Sequence, residues 1–153
     1  MLEQDYLCES LKGRVSYFAT RYRKAHDDHG RVAILVDRKE VINMPFSVDG
    51  VITNAAIQKP RVGKSRGQLY AETEAEYAGN GLFTPWAFGF AVDLYFENTI
   101  FVSLQSENLL VRLLAILDRR VGKRTLEKLK TEVTDLPEWL QFFYNLRMES
   151  ENI

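Results

Sequence analysis

His26-Asp27-Asp28-His29 is the best candidate for a metal site in this sequence, because it gathers two imidazoles and two carboxylates in one short segment. These side chains suit zinc or another transition ion. The chain contains only these two histidines, and its single cysteine, Cys8, is remote in sequence. A fourth ligand would therefore have to be a distant carboxylate. A solvated hairpin loop, in which Asp caps backbone amides, accounts for the same residues and is the preferred reading. No metal or other cofactor is expected.

Other groupings are weaker. Gly63-Lys64-Ser65 resembles the end of a phosphate-binding loop, but that loop needs a glycine five positions earlier, where this chain has Gln58. Glu72 and Glu76, and likewise Asp93 and Glu97, share helical faces at a spacing of four. A catalytic acid pair also requires environments that drive the two pKa values apart, and spacing alone does not supply them. Cys8 has no histidine nearby in sequence and reads as core filling.

Charge is distributed unevenly. The formal net charge is −1, yet Arg112 to Glu132 holds seven basic and three acidic residues, a local +4 against −5 for the remainder. The cluster Asp118-Arg119-Arg120-Val121-Gly122-Lys123-Arg124 has three readings. In the preferred one, Arg119 or Arg120 covers the carbonyl end of the preceding helix, Asp118 pairs with a neighbouring Arg, and Gly122 makes the turn. In the second, Arg119, Arg120, Lys123, Arg124 and Lys128 contact nucleic acid, joined by Lys59, Arg61, Lys64 and Arg66. In the third, the same cations form a surface for another protein.

The elements that must carry these groups are read from periodicity. Residues 2–11 fit a short helix stopped by Gly13. Residues 14–24, 31–36 and 41–44 fit three strands separated by polar turns at 26–30 and 37–40, and their short spacing favours an antiparallel meander. The apolar run 31–36 suggests a strand covered on both faces. Residues 46–67 read as an exposed basic loop, with Val51 and Ile52 available for a short strand.

Helices follow at 68–78, at 85–97 behind Thr84 and Pro85, at 98–104 capped by Asn98, and at 107–118 capped by Ser106. Two more occupy 123–133 and 136–148, and residues 149–153 are expected to fray. Trp86, Phe88, Phe90, Leu94 and Tyr95 surround most of the 85–97 helix, which places that helix at the centre of the core. Trp139, Leu140, Phe143 and Leu146 face inward from the last helix, with Phe142 or Tyr144 outside that stripe.

The expected fold class is therefore α+β. An N-terminal helix and a three-stranded antiparallel meander precede a C-terminal array of about five helices, in one domain spanning 1–153. Its parts are helix plus meander at 1–45, basic loop at 46–67, helical array at 68–148 and tail at 149–153. A lone cysteine excludes an intrachain disulfide. No apolar run approaches the roughly 20 residues that span a bilayer. The cytoplasm is the expected compartment, with no membrane partner.

Two blocks carry a resemblance: GRVSYFATRYRKAHDDHGRVAILVD (13–37) with the KEVINM that continues it, and ENLLVRLLAILDRRVGKRTL (107–126). They cover about a third of the chain. In these blocks the sequence resembles an uncharacterised family of small bacterial cytosolic proteins, a domain of unknown function with a DRRVGKRTL-like helix–turn–helix segment. The resemblance implies a bacterial cytosolic origin and no assigned activity. Asp37-Arg38-Lys39-Glu40 stands where that family's pattern leads one to expect a glycine in a tight turn.

Together these features favour a non-catalytic protein-binding module whose partner is another protein, with a homo-oligomer also open. A nucleic-acid-binding module is the alternative. A small-molecule or metal-dependent enzyme comes third, using the His26–His29 segment or a pocket lined by the aromatic helix 85–97.

Overall fold

Strands occupy Val15–Tyr22 (β1), Asp27–Val36 (β2) and Lys39–Pro45 (β3), and they pair antiparallel in the order β1-β2-β3. The computed structural model describes residues 2–22 and 27–153, the side chains of 2, 21, 22 and 27–29 excepted. Ahead of the sheet lie a helix, α1 (Leu2–Asp5), and a 3-10 turn at Glu9–Leu11. After it come α2 (Ser47–Ile57), α3 (Arg66–Gly79), α4 (Pro85–Glu97), α5 (Ile100–Leu104), α6 (Leu109–Ile116), α7 (Lys123–Val133) and α8 (Glu138–Ser150). The fold is α+β, as the order of patterns predicts.

One face of the sheet is dry. Val15 and Tyr17 of β1, Val32, Ile34 and Val36 of β2, and Ile42 and Met44 of β3 alternate along their strands and join the main core. On the opposite face Phe18 is half exposed, and the Arg31 guanidinium lies 5.6 Å from its ring centre. Along β2, however, Ala33 on that face is fully buried and Leu35 half-buried, so the middle of this strand is covered on both faces as expected. Residues 27–30, expected in a turn, belong to β2. Gly30 takes a φ of +53° beside the irregular register between Thr20 and Tyr22.

The β2–β3 hairpin turns on Asp37 and Arg38, both with positive φ (49° and 69°) although neither is glycine. A two-residue turn needs that conformation at both positions to follow the strand twist. The Arg14 guanidinium grips the Asp37 carboxylate in a two-pronged contact (2.9 and 3.0 Å), which helps hold the strained turn closed.

The central helix is α6. Leu110, Val111 and every residue from Leu113 to Leu117 are buried, and α6 packs on α4, α5 and α8. The expectation that helix 85–97 is central is corrected. Phe88, Ala91 and Tyr95 of α4 are buried, whereas Phe90, Leu94 and Phe96 face outward. Burial falls on the side of α4 that meets α6 and β2, and aromatic composition does not by itself choose that side.

Four boundaries differ from expectation. Residues 47–57 form a helix, not a loop or strand: Val48, Ile52 and Ala56 recur every four positions and are buried as α2 packs on α3. The helix expected over 2–11 breaks after Asp5, and a bridge links Leu7 to Asp118. Caps shift by one or two residues: Thr99 caps α5 and Asn108 caps α6, each accepting backbone N–H bonds through its side chain. The tail does not fray from 149, because α8 runs to Ser150, whose hydroxyl meets that of Ser10 at 2.8 Å, and Lys123 Nζ reaches the Glu151 carbonyl at 2.7 Å.

The helix pair α2–α3 keeps its own buried set, Val48, Ile52, Ala56 and Leu69, outside the main core. It is tied to the body through Phe46 against the Trp86 ring and through the Trp139 indole N–H, which donates to the Ala78 carbonyl at 3.0 Å. This offset leaves an opening between α3 and α4.

Candidate functional site

The basic residues singled out by sequence are largely committed to partners within the fold. Asp118 is fully buried at the end of α6. Its carboxylate accepts the Tyr95 hydroxyl of α4, the Arg120 backbone N–H and the Arg120 guanidinium, with a closest Arg120 approach of 2.6 Å. Arg120 also lies over the rings of Tyr6 (4.8 Å) and Tyr95 (5.7 Å), and Arg119 over that of Tyr6 (5.6 Å). Burial, then the bond to Asp118, pushes the Tyr95 hydroxyl above its usual pKa. The bond to Asp118 raises that of Arg120. One guanidinium thus fastens the N-terminal segment, α4 and the α6–α7 turn.

The carbonyl end of α6, expected under Arg119 or Arg120, takes a backbone bond instead, the Cys8 N–H donating to the Leu117 carbonyl at 3.0 Å, and cations cover other ends. Arg112 Nε donates to the Leu104 carbonyl at the end of α5, and Lys123 takes the carbonyl of Glu151 after α8. Gly122 makes the turn before α7 with an ordinary negative φ.

The second basic set sits on the α2–α3 hairpin. Lys59 pairs with Glu76 and Lys64 with Glu72, both at 2.7 Å. The Glu72–Glu76 acid pair is therefore occupied by lysines. Arg61 and Arg66 are exposed on the same hairpin, while Arg124 and Lys128 are exposed on α7, which packs on α8. Ser65, read as the end of a phosphate loop, caps α3: its hydroxyl accepts the Gln68 N–H, and the Gln68 side chain accepts the Ser65 N–H.

The metal candidate falls outside the described residues, wholly for His26 and in side chain for Asp27, Asp28 and His29. Among the described residues no group of three His, Cys, Asp or Glu is placed to hold a metal ion. Cys8 is buried in the core, as expected, with its sulfur 3.3 Å from the Ser10 hydroxyl. On α8, Phe142 is the exposed residue outside the inward stripe, whereas Tyr144 is buried and its hydroxyl donates to the Leu126 carbonyl.

The opening between α3 and α4 is a cleft of about 450 Å³. Its α3 wall is built from Ala71, Ala75 and Ala78, small residues at helical spacing that leave room where larger ones would close it. Trp86 and Phe90, one turn apart on α4, form the other wall, and Leu109 and Leu110 of α6 lie at the base. Glu74 and Glu107 bring carboxylates into this apolar space. Burial, reinforced by the nearby Asp49 carboxylate, holds Glu74 above the usual glutamate pKa. Asp49 itself accepts the Tyr70 hydroxyl at 2.7 Å. Phe90 lines the cleft yet is 70% exposed.

The aromatic helix 85–97 does line a pocket, but nothing in the sequence sets Glu74 or Glu107 apart from the chain's other acids. The missed signal is the alanine series at 71, 75 and 78 opposite Ala87, small residues on two helices that cannot close on one another.

Fold and cleft define an α+β chain with an open, aromatic-walled groove beside its main core. The chain belongs to the SF0329 protein family, whose model matches residues 1–148. No curated protein and no solved structure is significantly similar to it. Among the described residues no helix is long and apolar enough to cross a membrane.

Proposed function

We propose that this chain is a non-catalytic interaction module of a bacterial cytosolic protein, and that it docks a short segment of another protein in the α3–α4 cleft. The observation that carries this reading is Phe90. A phenylalanine that is 70% exposed at the mouth of an apolar cleft stays in water until something covers it. The cleft volume lies within the range of pockets that bury a side chain or small ligand.

The nucleic-acid reading has less support, because Lys59, Lys64 and Arg120 are neutralised inside the fold. The test is selection of a random-peptide display library on the wild-type chain, followed by binding to a Phe90→Ser variant. Enriched peptides that bind the variant about tenfold more weakly support the reading, tenfold being the scale of one good apolar contact. Enrichment of nothing, or equal binding to both chains, overturns it. Retention on a DNA column at low salt, lost at higher salt, would favour the alternative.

A further inference from the structure

The cleft is apolar in outline but negative in charge. Glu74 and Glu107 line it, and among the described residues none of those lining it is a lysine, arginine or histidine. Two lysines of the adjoining hairpin are spent elsewhere. Lys59 and Lys64 pair with Glu76 and Glu72, and two residues along a helix is a rotation of about 200°, so Glu74 lies on the opposite side of α3 from both. Its electrostatic neighbour Asp49 is a second carboxylate. Aromatic rings complete the walls: Tyr70 and Phe83 with Trp86 and Phe90.

A partly desolvated carboxylate among aromatic faces is complementary to a cation with a flat, weakly hydrated body. The carboxylate takes the charge and the rings take the face. A guanidinium meets both demands: its planar fork fits a carboxylate through two N–H bonds, and it stacks on Trp and Tyr where an ammonium remains a strongly hydrated point charge. The exposed Phe90 at the mouth further argues for a side chain carried on an apolar segment over a free small molecule, which would leave that ring in water.

We propose that the α3–α4 cleft is an arginine-recognition site, in which an arginine of a partner protein segment pairs with Glu74 between the Trp86 and Phe90 rings while flanking apolar residues cover Phe90. This inference rests on the interaction reading above and narrows its partner.

The test is titration of the isotope-labelled full chain with three blocked tripeptides, Leu-Arg-Leu, Leu-Lys-Leu and Leu-citrulline-Leu, followed by NMR. Arginine peptide is expected to shift Ala71, Glu74, Ala75, Asn108 and the Trp86 indole. It is expected to bind about tenfold more tightly than the citrulline peptide, which keeps the shape and loses the charge. Glu74→Gln, nearly isosteric and checked for an unchanged fold by its own spectrum, is expected to remove that difference. Citrulline or lysine peptides binding as tightly as arginine would overturn the inference. If display-selected peptides still discriminate against Phe90→Ser in that event, the interaction reading survives alone. Shifts confined to residues outside the cleft would overturn the assignment of the site.

Discussion

The Tyr95 hydroxyl donates to the buried carboxylate of Asp118, joining α4 to the end of α6 at the point where Arg120 closes the same carboxylate from the solvent side. Removing one partner of a buried polar group leaves the other unsatisfied, which costs more than the bond itself contributes. Tyr95→Phe is expected to lower unfolding free energy by about 1–3 kcal/mol. Asp118→Ala is expected to cost about 3 kcal/mol, since it strands both the Tyr95 hydroxyl and part of the Arg120 guanidinium. Arg120→Met should cost at least as much as Asp118→Ala, because it leaves the fully buried carboxylate without its counter-ion, whereas the half-exposed guanidinium of the Asp118 variant can turn to water. Urea unfolding of the three variants checks the order.

Arg38 holds a φ of +69° in the β2–β3 turn, a conformation that L residues adopt at a cost and glycine adopts freely. Arg38→Gly is expected to stabilise the chain by about 0.5–1 kcal/mol, the relief of strain exceeding the added freedom of the unfolded chain. The matching change at Asp37 should stabilise less or destabilise, because it also removes the clasp with Arg14. Thermal unfolding of both variants distinguishes the two positions.

Gly81 is the converse case. Its φ is +75°, and a Cβ there would meet the Trp139 ring at 3.4 Å. Gly81→Ala should therefore destabilise by about 1–2 kcal/mol from backbone strain alone. The loss should fall on the seam where Trp139 bonds Ala78 and stacks edge-on against Phe83. Hydrogen exchange is expected to accelerate at the end of α3 more than in the sheet.

Glu74 links stability to the cleft. Its carboxyl pKa is raised in the folded chain, so the folded state favours the protonated form. The stability this brings is complete below the ordinary value of 4.5 and is lost as pH rises through the raised folded value. Glu74→Gln should consequently leave stability at low pH nearly unchanged and raise it at neutral pH. Binding runs the other way, since a cation needs the ionised form: affinity for the arginine peptide should fall as pH drops through the Glu74 pKa in wild type and stay flat in the variant. Denaturation and titration across the same pH series measure both slopes.

Much of this architecture was legible from order and period. The β-meander is marked by runs rich in β-branched and aromatic residues between short polar turns, and α6 is so uniformly apolar that no arrangement leaves it in water. Gly122 and Thr84-Pro85 mark helix starts by local chemistry that needs no distant partner. α2 was harder to see, because Val48, Ile52 and Ala56 form a narrow stripe within a polar stretch and become a helix face by packing on α3. The candidate site was split: the aromatic helix announced a pocket wall, while Glu74 looked like one more surface acid.

By itself the sequence determined the fold class, the order of elements and the charge against core at 118–124, because those follow from local propensity and hydrophobic period. Only the tertiary structure decided which side of α4 stays wet, which carboxylates keep lysine partners and where α3 stands off from the body. Those outcomes depend on how helices distant in sequence pack, and small residues such as Ala71 and Ala75 acquire meaning only from what lies opposite them.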